Sequence, residues 1–398
     1  MRRSLERPPV RLYSSPSIIA LGHLLNYPPV LLYYERIMIL RIPRPISAGI
    51  ILFYKCSGEC RHCMYACSPH WFADWMSEQD LERILRNLSG NIKGVPVEPY
   101  GIGPFNGTAT GTRIGINYGL HLTGGEPFLN FDISLKAAHR LKDYGFSSTF
   151  VETNSFWCTD DHTTREKLIL LREAGLHGIL VSVNPFVIEH VPFERIERLV
   201  RVGSEVFGNN VLIYQGYFYH QFKQLGLRGT LPFDEYIKLA DIRSLLNVEL
   251  IPMGRAVYRL QGLLECLYGR RRAEEFFGES CEYELTRPWH VHIDIYCNYM
   301  TGYCGGLSLG DARDLDSICS GVDLDDRPIL AALVEDLRSL YEIAVREFGY
   351  KELDEGYLSK CHLCLDIRRH IAQQTSEFKE LSPREFYNHL WGDSRIYG

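Results

Sequence analysis

Cys56-Ser57-Gly58-Glu59-Cys60-Arg61-His62-Cys63 sets three thiols in a C-x-x-x-C-x-x-C spacing directly after Ala48 to Tyr54, an apolar run that reads as a buried strand. Three cysteines this close together cannot bridge one another with good disulfide geometry. Their thiolates also leave a tetrahedral zinc site one ligand short unless Cys67 or His62 supplies the fourth. A 4Fe-4S cubane uses the set more completely: three irons take Cys56, Cys60 and Cys63, and the fourth iron stays open to a ligand that is not protein. A zinc loop and a group of plain buried thiols are the competing readings, because short cysteine spacings are shared among metals.

At 398 residues the chain is long for one core, which suggests a larger catalytic domain with a smaller appendage. Arg2 and Arg3 lead into Ser4-Leu5-Glu6-Arg7-Pro8-Pro9 rather than an apolar core, so no signal peptide is expected and the twelve cysteines are expected reduced or metal-bound in a cytoplasm. The apolar stretch Ile18 to Tyr34 is broken by His23, Asn26, Pro28 and Pro29, and no membrane span is expected. A formal charge of −6 gives no general attraction to nucleic acid. The one basic run, Arg270-Arg271-Arg272, is followed by Glu274-Glu275 and reads as a solvated helix face.

Residues 1–45 show no clear period and read as an extension wrapped over the domain. After the first strand, Ser77 caps a helix over Glu78 to Leu88, with Leu81, Ile84, Leu85 and Leu88 on one face. Gly101 to Gly115 reads as a long inserted loop. Strand-like runs then fall at Leu120 to Thr123, Ser148 to Thr153, Ile179 to Val183, Val211 to Phe218 and Val248 to Pro252, with helical patterns around Ile133 to Tyr144, Thr163 to Ala174, Phe193 to Val206 and Phe233 to Arg243 between them. Together these make six β/α units, a parallel sheet with functional loops at the carboxyl ends of its strands.

The cysteine spacing, its position after the first strand and this alternation resemble the radical S-adenosylmethionine (SAM) superfamily. The resemblance implies an α/β fold built on a partial (β/α)6 TIM-like barrel, with the open iron chelated by the amino and carboxylate groups of SAM. It assigns His62, in the cysteine loop, to cofactor binding. Thr123-Gly124-Gly125-Glu126-Pro127 resembles the motif for the SAM amino group: two glycines admit close backbone approach, and the Glu126 carboxylate suits an ammonium. A plain strand-to-helix turn would use the same residues. Asn154, with Ser155 where glycine is usual, resembles a third strand end, and Ser182 and Asn184 resemble the fourth, which faces the ribose; each could equally be a strand-end cap. Pro252-Met253-Gly254-Arg255-Ala256 resembles a segment frequent in family members that carry an extra cluster domain, where Gly254 admits the adenine edge and Met253 either joins the cofactor site or serves packing alone. Glu152 is the candidate base. In the aromatic run Tyr214 to His220, Tyr214 and Tyr217 are candidate hydrogen donors, on opposite faces if strand alternation continues.

Beyond a helix-like Leu260 to Phe277 the β/α pattern fades, and six of the twelve cysteines lie from Cys281 onward. His290 to Tyr296 alternates like a strand and turns at Cys297-Asn298 into a hairpin that delivers Cys304; Cys361-His362-Leu363-Cys364 stands at the mouth of a helix read over Leu365 to Gln373. This resembles the twitch domain, the shortened relative of SPASM domains, and implies an auxiliary 4Fe-4S cluster on Cys281, Cys304, Cys361 and Cys364. A four-cysteine zinc site is the alternative. Cys297 stands where family members often have glycine; Cys319 could replace any of the four, and Cys67, Cys158 and Cys266 read as ordinary thiols. The organisation is therefore 1–45 extension, 46–277 barrel and 278–398 small α+β iron–sulfur domain. The implied activity is an oxidoreductase-type radical SAM enzyme of biosynthesis, which cleaves SAM to a 5′-deoxyadenosyl radical that takes hydrogen from a small molecule. Modification of a ribosomally made peptide, or a non-catalytic zinc protein, are the alternatives. A reducing partner such as flavodoxin or ferredoxin is implied.

Overall fold

The computed structural model describes residues 38–98, 112–240, 242–248, 250–301 and 303–392. Most of the expected N-terminal extension and of the loop at Gly101 to Gly115 lies outside them. After a two-residue strand β1 (Ile39–Leu40), five strands form one parallel sheet: β2 (Ser47–Ile51), β3 (Gly119–Thr123), β4 (Thr149–Thr153), β5 (Gly178–Ser182) and β6 (Val211–Tyr214). The strands are short apolar runs buried on both faces, as a parallel sheet covered by helices requires. The crossovers carry α1 (Glu78–Leu88), α2 (Phe131–Asp143), α3 (Asp161–Glu173) and α4 (Phe193–Phe207). The first of these has the expected bounds. Ser77 Oγ accepts from the Asp80 backbone N–H, and Leu81, Ile84, Leu85 and Leu88 are buried.

The sixth parallel strand is not the expected one. No strand forms among the described residues of 248–252, where Pro252 can donate nothing to a ladder; a 3-10 segment, Ile242–Asn247, precedes a bend instead. The place is taken from the far end of the sequence. β7 (Val291–Ile293) pairs in parallel with β2 and turns back antiparallel into β8 (Tyr299–Met300), giving the order β6-β5-β4-β3-β2-β7-β8. The hairpin read from the alternation of residues 290–296 is therefore present, but it extends the barrel sheet. β9 (Val322–Asp323) pairs with β1.

Two further expectations change. The run Val211 to Phe218 is strand only to Tyr214, and from Gly216 the chain is helical: α5 (Gly216–Gln224), then α6 (Phe233–Leu239). Arg270 to Arg272 lies outside any helix: Arg271 exchanges backbone hydrogen bonds with Tyr357, and the Arg270 Nε donates to Glu265. The second half is carried by helices Pro328–Glu335, Leu337–Phe348 and Lys360–Gln374. Cys361 and Cys364 lie inside the first turn of the last, not ahead of it, and Ser359 Oγ caps that turn by accepting from the His362 N–H.

Candidate functional site

The loop after β2 is pinned from three directions. The Cys56 N–H donates to the Ser68 carbonyl at its neck, and Tyr54 donates through its hydroxyl to Asp294 Oδ2 (2.8 Å), tying the neck to the β7–β8 turn. The third clamp is Arg255. Its side chain is fully buried, Nη1 donates to the Cys60 and Cys67 carbonyls (3.0 and 3.1 Å), Nη2 to Ala66 (2.6 Å), and its backbone N–H to Cys63 (3.0 Å). Nε and Nη2 also donate to the His389 carbonyl (3.3 and 3.2 Å), so the guanidinium fixes the loop's curvature and ties it to the C-terminal segment. Arg255 was missed in the sequence, where the segment was read for Met253 and Gly254. Those two lie elsewhere than expected: they line a smaller cavity with the second cysteine set, and a Cβ on Gly254 would stand 2.6 Å from Met64 Cα. The glycine at φ +58° serves the cysteine loop's own backbone.

Cys56, Cys60 and Cys63 line one cavity of about 440 Å³, which opens where β3 to β6 end. Each strand hands over its last residues to the wall: Thr123, Gly124 and Gly125 from β3, Thr153 and Asn154 from β4, Ser182 and Asn184 from β5, Tyr214 and Gln215 from β6. That is the general position of sites in parallel α/β sheets. Gly124 and Gly125 are glycine because the neighbouring loop crosses them: a Cβ would meet Phe53 O at 2.4 Å and Lys55 O at 1.8 Å. Glu126 does not line the cavity. It is fully buried and accepts from Thr153 Oγ1 (2.7 Å) and the N–H groups of Asn154 (2.8 Å) and Phe128 (3.2 Å), and burial pushes its carboxyl up to about 7. In this geometry it ties the β3 and β4 ends together.

Asn154 and Asn184 serve both readings at once. Asn154 Oδ1 caps the Phe156 N–H while Nδ2 donates to Ser57 Oγ (2.9 Å) and approaches Cys56 Sγ (3.7 Å). Asn184 Oδ1 caps Phe186 and Val187, and Nδ2 lies 3.2 Å from His62 Nε2. Burial holds the His62 imidazole down to about 4, so it is neutral, and its Nδ1 has no hydrogen-bond partner. Ser155, at the glycine position, has φ +74°.

Of the two tyrosine candidates, Tyr214 is on the wall and Tyr217 is not; it sits on α5, 45% exposed, with its hydroxyl donating to Ser244 Oγ. Helical rather than strand geometry separates them. Glu152 lines the cavity, accepts from Thr123 Oγ1 (2.7 Å), and has its carboxyl raised by burial. Behind it is a histidine group that sequence reasoning missed. Gly49 of β2 stands in register between His121 of β3 and His292 of β7, and its missing side chain makes room for both: a Cβ would lie 2.3 Å from His121 Nε2 and 2.7 Å from His292 Cδ2. His290 packs 4.8 Å from His292 and, with it, lines the cavity. Alternating His290-Val291-His292 was the available signal, but only the register shows its partner.

Cys281, Cys304, Cys361 and Cys364 line the smaller cavity together, with Lys360 and Arg368. Neither Cys297 nor Cys319 lines it, and Cys297, at φ +63°, occupies the turn position that favours glycine. The helix Lys360–Gln374 presents Cys361 and Cys364 from its N-terminal turn, where unpaired N–H groups favour thiolate charge. Tyr303 lines both cavities. Among the described residues no three Cys, His, Asp or Glu side chains converge on a point that would hold a single metal ion. Cys56, Cys60 and Cys63 in one cavity and Cys281, Cys304, Cys361 and Cys364 in the other are donors of the type an iron–sulfur cluster takes. Cys67 also lines the larger cavity, its N–H 3.3 Å from Cys63 Sγ. Hydrogen bonding from Cys67 draws the Cys63 thiol down, whereas burial pushes Cys56 up to about 12.

No protein-family model and no curated protein matches the sequence. Among solved structures, the chain is similar to BtrN in complex with AdoMet and 2-DOIA at 12% identity and a TM-score of 0.37, covering 75% of this chain and 90% of that one. It is similar to anSMEcpe with bound AdoMet at 12% identity and a TM-score of 0.39, covering 87% and 96%. The likeness to SuiB of Streptococcus suis bound to precursor peptide SuiA is 14% identity and a TM-score of 0.30, covering 86% and 76%. Likenesses this loose carry no assignment.

Proposed function

We propose that this chain is a radical SAM enzyme that binds a 4Fe-4S cluster and SAM in the larger cavity and acts on a carbon–hydrogen bond of a small molecule, with a second 4Fe-4S cluster in the smaller one. The observation that carries the reading is the meeting of Cys56, Cys60 and Cys63 with the carboxyl ends of β3 to β6 around one cavity. Cys56, Cys60 and Cys63 would hold the cluster beside SAM, and together the two groups would supply the one-electron chemistry that hydrogen abstraction needs.

The chain's own part is to bind, orient and exclude. Residues 46–277 would hold the first cluster and SAM, and 278–398 the second on Cys281, Cys304, Cys361 and Cys364. Arg255 fixes the carbonyls of the loop so that the three thiols face one side. Gly124 and Gly125 leave backbone at the cavity wall for the amino acid end of SAM, and Ser182, Asn184 and Gln215 offer polar partners near its sugar and base. Among the described residues Glu152 is the one carboxylate on the wall; it would take the proton released when a substrate radical gives its electron to the second cluster, with Thr123 holding its orientation.

The test is anaerobic preparation followed by iron and sulfide counts and an assay for 5′-deoxyadenosine with dithionite and SAM. About eight irons and deoxyadenosine formation are expected. Zinc in place of iron, or no deoxyadenosine, contradicts the proposal.

A further inference from the structure

Arg368 is the feature of the smaller cavity that packing does not explain. It is 4% exposed and lines the cavity with the four cysteines. Its other contacts are neutral: Nη1 donates to the Gly305 carbonyl and to Tyr387 Oη (both 3.1 Å), its Cζ lies 5.8 Å from the Tyr387 ring, and Nε is buried with no partner. No carboxylate pairs with it among the described residues. Lys360, the other cation on this wall, is different, since its Nζ lies 3.3 Å from Glu284 and 3.8 Å from Glu279, so its charge is largely offset. An unpaired guanidinium buried in protein is costly unless something anionic shares its site.

We infer that Arg368 is the counter-charge of the smaller cavity and raises the reduction potential of the cluster bound there. The inference rests on the proposed second cluster. Four thiolates around a cubane make a net anion, and one-electron reduction makes it more negative without a proton. A fixed cation inside the same low-dielectric wall favours the reduced form more than the oxidised one. Arg368 is therefore a positioning residue for charge and not a ligand.

The test is a redox titration of the anaerobic holoenzyme with dithionite, followed by electron paramagnetic resonance, on wild type, Arg368→Gln and Arg368→Lys. Glutamine can still donate to Gly305, so it removes the charge with the least damage. The expected result is full iron in both variants, with the one-electron equilibrium of the second cluster falling at least tenfold in Arg368→Gln, about 59 mV for a one-electron couple, and by clearly less in Arg368→Lys. An unmoved potential in Arg368→Gln, or an equal fall in Arg368→Lys, overturns the inference while leaving the second cluster in place. Loss of that cluster from both variants overturns it too, because Arg368 is then a packing residue. A wild type with only four irons removes the second cluster itself, a different failure read before any variant is made.

Discussion

Cys67 stands beside Cys63 in the larger cavity, so this loop offers a fourth thiol. The account gives it no iron: Cys56, Cys60 and Cys63 take three, and the fourth must stay open. Cys67→Ser is therefore expected to keep its iron and at least a third of its deoxyadenosine formation, whereas Cys56→Ala, Cys60→Ala and Cys63→Ala each lose deoxyadenosine formation by 100-fold or more while keeping about four irons on the second set. Loss of the first cluster in Cys67→Ser would make Cys67 a ligand. Tyr217→Phe should leave turnover within about twofold, since its hydroxyl meets Ser244 away from the cavity; a large loss would return it to the chemistry.

At the scale of elements, β2 is where sequence and structure meet and part. Its apolar run and the cysteines after it were legible because burial and spacing are local properties. So was α1, whose cap and apolar face lie within twelve residues, Ser77 to Leu88. The order of the sheet was not legible. β7 comes about 240 residues after β2, and nothing in the alternation of His290 to Tyr296 says that its partner is Gly49 and its neighbours. Arg255 was hidden in the same way, because its partners Cys60, Ala66 and Cys67 are nearly 200 positions away. The aromatic run after Tyr214 misled because aromatics favour strands in general, yet Gly216 onward packs as helix. Gly49→Ala tests the row that β2 forms with its neighbours. Added atoms in a packed core typically cost about 1–3 kcal/mol, and the Cβ here points at two rings. Denaturant unfolding should show a loss in that range, and no change would mean that the register is wrong.

Across the whole molecule, burial of histidine gives stability a definite pH dependence. Burial lowers His121 to about 3 and His290 to about 4, and holds His292 well below the 6.5 of a free side chain. Between these values the unfolded chain binds protons that the folded chain refuses, so folding stability falls as the pH drops from about 6.5 toward 4 and changes little from these groups above it. Glu126, raised to about 7 by burial, acts in the opposite sense over part of that window, so the test is a comparison: the urea midpoint should fall less steeply with pH in His121→Asn than in the wild type, and parallel profiles would contradict the burial of His121. The sheet also predicts that residues 1–277 alone are not a stable unit, because removing β7 leaves β2 as a bare apolar edge. Expression of that fragment should give aggregated or unfolded protein; a folded, soluble fragment would contradict the shared sheet.

The central claim is that one iron of the first cluster is free of protein and meets SAM. The most direct measurement is electron–nuclear double resonance on the dithionite-reduced, anaerobic protein mixed with SAM isotopically labelled at its amino nitrogen. The account predicts a hyperfine coupling from that nitrogen that disappears in Cys56→Ala. A reduced first cluster with no coupling, every iron already held by side chains, would contradict it.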